Sequence, residues 1–499
     1  MSYYAIGIGG TGAKCLESLI HLAAAGMMPD GDLHLLFVDP DASNGSRARV
    51  ADTLTYYMEC KDRLDLGQTN LLKTRIDRAD PIPWTPFNDT NPKLKEFFHY
   101  DNFRDSPAGK LFDVLYSRLE KECPLDEGFR GHPSIGSAVI AKTVDLAKDA
   151  TWRAFCDKIK NDDGVTKVFL AASIFGGTGA SGFPTIAKIL NDDKNLDVTL
   201  GGALILPYFK FRDDEDDTDG GDDSDGTDDA DDGDDGKLKA NLKAKSNQFL
   251  MNTQTALKHY HLWNRTGIYN AVYLLGDKFR VDVENAPGGG RQKNAPHFIE
   301  LYAALAAIDF FQKDIGNDQN AEYRMASRSN TNLLQWTDLP DGENVRSSIG
   351  KLARFAFTYL SVYHPALTQI AEHSRDVYRA PWYVHFFERR NIQYASGSLD
   401  CVEKYCSDFL RWLANIQGNC SNMLTIELVD YSTYAERKAD GTLDLKSPKN
   451  FSNDPSHLIQ SQRKSNVLSK HWERMCSSGK TGRDAQGIGK FLRALYENC

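Results

Sequence analysis

Two glycine-rich turns are the residues of this chain whose types and spacing most directly suggest chemistry. Each turn follows an apolar run and opens a helical pattern: residues 4–14 read YAIGIGGTGAK, and residues 168–184 read VFLAASIFGGTGASGFP. Glycine lets a backbone come close to a ligand and turn its amide N–H groups inward. Those amides and the positive end of the following helix form an anion site. Two such turns in one α/β domain predict that a polyphosphate is held from two sides.

The first turn taken alone also fits a dinucleotide-binding unit. Gly7, Gly9 and Gly12 have the GxGxxG spacing, and Asp39 ends the next apolar run, where that unit places its ribose-binding acid. The second turn argues against this interpretation, because a dinucleotide site needs no further GGTG turn so far downstream. A tight strand-to-helix turn without a ligand is the structural alternative.

The elements that must position these turns follow from the hydrophobic pattern. Short apolar runs separated by helical patterns predict a parallel sheet covered on both faces, with the ligand beyond the carboxyl ends of the strands. We predict strands at 3–8, 33–38, 167–173, 199–206 and 270–275, and helices at 13–25, 136–160, 183–191, 238–258, 296–311 and 402–416.

Five short motifs occur in the order in which the tubulin/FtsZ family of GTPases carries them. The family's Gly-Gly-Gly-Thr-Gly-[Ser/Thr]-Gly signature is matched by residues 175–181, FGGTGAS. The other four matches are 7–14, 38–42 (VDPDA), 130–136 (RGHPSIG) and 204–209 (LILPYF). On these motifs the chain resembles a divergent prokaryotic member of the family over about residues 3–315.

The resemblance implies a fold and a division into domains. It implies a Rossmann-like parallel-sheet GTPase domain with a long central helix, a second α+β domain and a helical C-terminal extension. We assign the nucleotide-binding domain to residues 1–315, with an insertion at 47–127 and an acidic run at 213–236. The second domain is assigned to 316–400, where 351–363 is predicted to be a strand. A divergent, mainly helical region follows at 401–499, with a further strand at 424–429.

The resemblance also implies ligands and their contacts. Backbone amides of 9–12 and 176–179 would hold the phosphates of GTP or GDP, and Asp39 and Asp41 would hold Mg²⁺ directly or through water. Phe298 or Tyr302 would stack on the base and Glu300 would read its edge; an ordinary core helix with one buried carboxylate is the alternative. The implied nucleotide-binding residues are Gly9, Gly10, Thr11, Gly12, Lys14, Gly131, His132, Pro133, Gly136, Gly176, Gly177, Thr178, Gly179, Ala180, Pro207, Phe298, Glu300 and Tyr302.

The segment 336–341, WTDLPD, resembles the family loop that enters the nucleotide pocket of the next subunit. The resemblance implies that Asp338 and Asp341 are catalytic, because carboxylates there would orient the attacking water. A surface turn is the alternative, since the same residues are good turn formers. Thr11, Lys14, Phe175 and Ala180 depart from the family pattern. These departures bear on nucleotide affinity and guanine preference rather than on the fold.

Composition narrows the partners and the compartment. The net charge is −10, and the acidic run supplies much of it, so the rest of the chain is close to balanced and no nucleic-acid surface is expected. The acidic run has too few apolar residues to pack; a solvated loop is expected, with weak calcium binding or a basic partner as alternatives. The nine cysteines include no Cys-x-x-Cys pair, which favours core thiols over a metal site or disulfide and indicates a reducing cytoplasm. No membrane or targeting segment is expected.

These observations together predict a GTP-binding and GTP-hydrolysing protein that assembles head to tail into filaments. The alternative is a non-polymerising nucleotide-binding module that acts as a sensor or scaffold. A Rossmann oxidoreductase is a third interpretation.

Overall fold

The structure is a computed structural model that carries all side chains. It describes residues 2–41, 45–87, 92–125, 128–129, 131–162, 164–211, 249–264, 267–277, 280–283, 294–313, 322–325, 333–371, 380–387, 396–418, 426–439, 442–452, 458–459, 468–477 and 487–499. The acidic run lies outside these residues.

A seven-stranded parallel sheet organises the molecule, in the order β3-β2-β1-β4-β5-β7-β9. This confirms the predicted α/β class and the five strands predicted between residues 3 and 275. The strands of the sheet are β1 (Ser2–Ile8), β2 (Asp32–Val38), β3 (Ile76–Arg78), β4 (Thr166–Ser173), β5 (Val198–Ile205), β7 (Ala271–Leu275) and β9 (Glu322–Met325). Two small sheets pair β6 (Phe209–Phe211) with β8 (Val281–Val283) and β10 (Ala435–Arg437) with β11 (Leu443–Leu445).

Helices cover both faces of the sheet. They are α1 (Gly9–Ala24), α2 (Gly45–Arg63), α3 (Leu94–Phe97), α4 (Pro107–Leu115), α5 (Arg118–Lys121), α6 (Pro133–Thr143), α7 (Ala150–Asn161), α8 (Gly177–Asp192), α9 (Phe249–Trp263), α10 (Phe298–Gln312), α11 (Gly342–Thr358), α12 (His364–Ala371), α13 (Pro381–Phe386), α14 (Ser396–Gly418), α15 (Leu468–Ser477) and α16 (Ile488–Glu497). A π-helical turn, Tyr359–Tyr363, joins α11 to α12.

Alternation along the strands assigns the helices to the two faces. In β1, Tyr3 contacts Phe311 of α10, with ring centroids 4.9 Å apart, while Tyr4 contacts Phe155 of α7 at 5.4 Å. In β5, neighbouring glycines allow close approach from opposite sides: a Cβ at Gly201 would lie 2.5 Å from the Phe310 ring, and one at Gly202 would lie 2.5 Å from the Phe183 ring of α8. Helix α10 therefore packs on one face, and α7 and α8 pack on the other.

Three predicted elements differ from the structure. The helix predicted at 136–160 is instead two helices, α6 and α7, with a break between them. Asp149 lies at the end of this break and caps α7 by accepting hydrogen bonds from the Thr151 and Trp152 amides. The strand predicted at 351–363 is wrong: these residues lie in α11 and the π-helical turn. Its central residues, 352–360, are buried on every side, so their apolar run shows no strand alternation. Residues 426–429 form only isolated bridges, with Leu334 and Ile459.

The segment interpreted as an insertion, residues 47–127, contributes to the sheet domain. It supplies most of α2 and the edge strand β3, which pairs with β2 from Leu33 to Leu35. The short helices α3 to α5 follow β3 in the chain.

The C-terminal region packs on the sheet domain. The rings of Trp412 in α14 and His21 in α1 are 4.5 Å apart, and the Thr53 hydroxyl of α2 donates to Asp408 of α14 at 2.6 Å. At the other end of α2, a Cβ at Gly489 of α16 would lie 1.9 Å from the Asp65 carbonyl oxygen. One connected hydrophobic core runs from β1 to α16. Within the described residues, no helix combines the length and apolar character that a membrane crossing requires.

Candidate functional site

The two glycine turns lie side by side at the carboxyl edge of the sheet. Strands β1 and β4 are neighbours, and Ile8 pairs with Ala172, so α1 and α8 begin at the same level. Gly9 has a φ of +70°, which glycine adopts without strain. A Cβ at Gly9 would lie 3.3 Å from the Cβ of Thr178, so the two turns are in contact. The predicted juxtaposition of the two turns is present in the structure.

Close packing of the backbone explains the glycines inside each turn. A Cβ at Gly12 would lie 2.3 Å from the Ala171 carbonyl oxygen, and one at Gly179 would lie 2.4 Å from the Ser173 carbonyl oxygen. Both separations are shorter than any real contact of a Cβ atom. Each glycine therefore allows a helix to start directly against strand β4.

A third loop joins the two turns. Helix α6 begins at Pro133, and a Cβ at Gly136 would lie 2.2 Å from the Ser181 hydroxyl oxygen of α8. A Cβ at Gly177 would lie 2.9 Å from the Gly131 amide nitrogen. The space beside Gly177 is thus occupied by Phe129 and the Gly131 amide, and the need for glycine at this position comes from loop packing. Arg130 lies outside the described residues.

Three helix N-termini consequently converge at one edge. The N-cap residues Ile8, His132 and Gly176 make no side-chain hydrogen bond to the helices that they precede. The first-turn amides of α1, α6 and α8 therefore have no side-chain cap, which is the arrangement that suits an anionic ligand. The predicted residues of these turns that are partly exposed are Gly10, Thr11, Gly131, His132, Pro133, Gly176 and Thr178.

Two buried carboxylates follow the neighbouring strand β2. Asp39 and Asp41 are 6% and 3% exposed, and the Asp41 amide donates to Asp39 Oδ1 at 3.2 Å. The Asp39 amide donates to the Trp84 carbonyl at 3.1 Å, which fixes the strand end. No cluster of three or more His, Cys, Asp or Glu side chains suited to a metal occurs in the part of the chain that the structure describes.

A buried polar network lies directly behind the first turn. Lys14 Nζ forms an ion pair with Glu300 Oε1 and donates to the Tyr208 hydroxyl at 2.9 Å. The Tyr208 hydroxyl in turn donates to Glu300 Oε1 at 2.6 Å. Glu300 also accepts from the His297 amide at 2.9 Å, which closes a capping box at the start of α10. We call Lys14, Tyr208 and Glu300 the buried triad.

The contacts of the buried triad limit how the side chains of α10 can contact a nucleotide base. The Glu300 and Lys14 side chains are 0% and 3% exposed, and burial together with the Glu300 charge raises the pKa of Tyr208 well above its ordinary value. Base recognition by Glu300 would require the Lys14 ion pair to open. Phe298 is buried, Tyr302 is half-buried, and Pro207 is buried next to Tyr208. Tyr208 is a site-forming residue that our sequence analysis missed; its only signal was its place between Pro207 and Phe209 at a strand end.

The two candidate catalytic carboxylates form hydrogen bonds within their own loop. Asp338 accepts from the Gln335 amide at 2.8 Å, and Asp341, at φ +50°, accepts from the Asn344 side chain at 2.8 Å. The loop is anchored by Trp336, whose indole donates to the Leu428 carbonyl at 2.9 Å. Among the described residues, no hydrogen bond or ion pair joins either carboxylate to the glycine turns. The structure therefore brings the loops 9–12, 131–136 and 176–179 into contact, whereas the described hydrogen bonds of Asp338 and Asp341 stay within their own loop.

Comparisons with known proteins give structural neighbours only. No protein-family model matches the chain, and no curated protein matches it. It is similar to CetZ2 from Haloferax volcanii in a GTPγS-bound protofilament, at 16% identity and a TM-score of 0.28, covering 63% of this chain and 60% of that one. It is also similar to TubZ of Bacillus thuringiensis serovar israelensis in a GTPγS-form protofilament, at 10% identity and a TM-score of 0.25, covering 62% and 55%. The chain thus spans less than two thirds of either neighbour.

Proposed function

We propose that this chain binds GTP and Mg²⁺, hydrolyses GTP and assembles head to tail, as a tubulin/FtsZ-like protein. The observation that carries the proposal is the convergence of three helix N-termini without side-chain caps at the carboxyl edge of a parallel sheet. A single such terminus is common, but three that meet in contacting loops fit a ligand with several phosphate groups.

Each turn has its own part in holding the phosphates. Amides of 9–12 and of 176–179 donate to phosphate oxygens from two neighbouring strands, and the loop 131–136 covers them from the third side. Charge-assisted hydrogen bonds of this kind are stronger than neutral ones. Gly9 supplies the positive φ that turns the amides toward the ligand.

Asp39 and Asp41 are the residues that fit the magnesium ion. They end the strand beside the first turn and are both buried. Mg²⁺ keeps several waters and is commonly held by one or two carboxylates together with substrate phosphates. When bound, the ion would neutralise phosphate charge.

Hydrolysis is assigned to a second subunit. Asp338 and Asp341 have no described contact with the glycine turns of their own chain, so a water near the γ-phosphate would be oriented by the loop of a neighbour. Contacts of this type are heterologous and do not close on themselves, which leads to filaments.

Phosphate release measured over a range of protein concentrations tests the shared site. Turnover per subunit should rise with concentration, and Asp338→Asn and Asp341→Asn should stop turnover while GTP affinity is unchanged. Glu343→Gln is the matched control, because Glu343 follows the same loop, is 66% exposed and pairs only locally with Arg346. Constant specific activity down to dilute protein, or full activity in both Asp variants, would refute the shared site.

A non-polymerising sensor or scaffold is the second candidate. The observation that favours it is the local role of both carboxylates, which cap and brace their own loop. Sedimentation with GTP separates the two functions, because only a polymerising protein pellets. Competition between labelled GTP and NAD tests the oxidoreductase interpretation in the same preparation.

A further inference from the structure

An apolar cavity lies on the face of the sheet that carries α8. Its lining is made of mainly apolar and aromatic side chains, unlike the glycine turns. Its volume is about 230 Å³, and it lies between α8, the end of α9 and strands β5 and β7. Phe183, Tyr260, Trp263, Tyr269 and Tyr323 contribute aromatic side chains to its lining. Leu204, Leu257, Val272 and Leu274 complete most of the remaining wall.

The lining presents mainly apolar surface because most of its polar side chains form hydrogen bonds within the protein. The Tyr269 hydroxyl donates to the Phe183 carbonyl at 2.8 Å, and the Tyr260 hydroxyl donates to the Ala180 carbonyl. The Asn264 amide accepts from the Tyr269 backbone at 2.8 Å and donates to the Tyr323 hydroxyl at 3.1 Å. No Asp, Glu, Lys or Arg side chain occurs among the described lining residues. Apart from the His261 imidazole near the entrance, an anionic ligand would meet no side chain in the described lining that can carry positive charge, and it would lose its hydration.

Size and shape point to one class of ligand. An apolar cavity of about 150 Å³ stays dry and holds benzene, so the larger space here suits a fused two-ring system. Phe183 and Tyr269 are stacked, with centroids 4.5 Å apart and planes at 15°. With five aromatic residues in the lining, a planar ligand ring has aromatic neighbours to pack against, and aromatic pairs gain beyond area burial. We propose that this cavity, which we call the α8–α9 cavity, binds an uncharged planar aromatic molecule about the size of indole.

The entrance to the cavity lies at its exposed side. Tyr323 is 46% exposed, and the rings of Tyr323 and His261 are 6.3 Å apart. Leu257 is half-buried in α9, one helical turn from His261. The cavity thus lies closest to the surface between the end of α9 and strand β9, where the Tyr323 and His261 rings would separate to admit a ligand without opening the core.

The cavity is also joined to the phosphate-facing part of the molecule. Its two hydroxyl donors, Tyr260 and Tyr269, bond to carbonyls of α8. The first turn of α8 contains Thr178 and Gly179 of the second glycine turn. Ligand binding should therefore slow amide hydrogen exchange in α8 as well as in α9, a readout that does not depend on the proposed nucleotide.

Isothermal titration of the full chain with indole tests the site, with indole-3-carboxylate as the charged comparison. Indole should bind with a Kd on the order of a millimolar, and the carboxylate should bind more weakly. Leu257→Trp should weaken indole binding by roughly tenfold or more, because a close-packed lining leaves no room for both rings. Leu262→Trp is the matched control: Leu262 lies on the same helix, is 63% exposed and does not line the cavity, so its affinity should equal that of the original chain.

A second variant keeps the test decisive if Leu257→Trp does not fold. Leu257→Phe adds less volume and should weaken indole binding by a smaller factor in a protein with an unchanged circular dichroism spectrum. Failure of indole to bind the original chain at several times the expected Kd would overturn the proposal. Equal affinity in a folded Leu257 variant, or tighter binding of the carboxylate, would overturn it as well.

Discussion

The buried triad gives the sharpest prediction about stability. Replacing Glu300 with Gln keeps the shape of the side chain but removes the carboxylate that, among the described residues, forms the ion pair with Lys14. Lys14 is 3% exposed and cannot reach water without opening the start of α1. Breaking a buried ion pair from one side typically costs about 3–5 kcal/mol, because the remaining charge stays buried without compensation. We expect Glu300→Gln to lower the free energy of unfolding by this amount.

A double-mutant cycle distinguishes the ion pair from other effects of the substitution. Lys14→Met removes the cation and keeps much of the apolar stem. The double variant Lys14→Met/Glu300→Gln should therefore be more stable than the sum of the two single losses predicts, by roughly 1–3 kcal/mol. The surface pair Lys188–Asp192, at 2.7 Å with both side chains 55% exposed, is the control. Asp192→Asn should cost about 1 kcal/mol or less.

Urea denaturation followed by circular dichroism measures the unfolding free energy of each variant. The slope m is compared among variants to confirm that their unfolded states are equivalent. A loss below about 1 kcal/mol in Glu300→Gln, close to the value for Asp192→Asn, would show that Lys14 is not held as an uncompensated buried charge. Strict additivity in the cycle would show that Lys14 and Glu300 do not interact energetically. Either result would refute our account of the triad.

Three further predictions follow from other parts of the molecule. Burial, together with the charge of Glu17, raises the pKa of Asp408 to about 7. The stabilisation that this carboxyl supplies is therefore complete below pH 4 and is lost as the pH rises through 7. Asp408→Asn should remove this pH-dependent decline, which amounts to a few kcal/mol of unfolding free energy. Gly177→Val should abolish GTP binding in titration calorimetry, because its side chain would displace Phe129 and the Gly131 amide beside the second glycine turn; unchanged affinity in a folded variant would contradict the loop assignment. Deletion of residues 213–235 should leave the melting temperature and GTP binding unchanged, since this segment has few apolar residues to pack; a loss of several degrees would contradict that prediction.

The sequence by itself determined the features that depend on short stretches of chain. Each short apolar run is complete within a few residues, and in β1 and β4 the following glycine turn and helical pattern are complete within about 20, so the strands β1, β2, β4, β5 and β7 and both turns were predictable. The order of the strands in the sheet brings the turns together, and parallel α/β topology restricts that order. Capping of α10 is local too, because His297 and Glu300 are three residues apart.

Tertiary structure alone decided the features that join distant residues. Tyr208 meets Lys14 across 194 positions and Glu300 across 92, and no pattern within a window of sequence encodes such a meeting. The same holds for α14, which Asp408 ties to α2 across 355 positions. Residues 351–363 were mispredicted for a related reason: a segment that is buried on every side carries no periodicity, so its helical state is set by the helices packed around it.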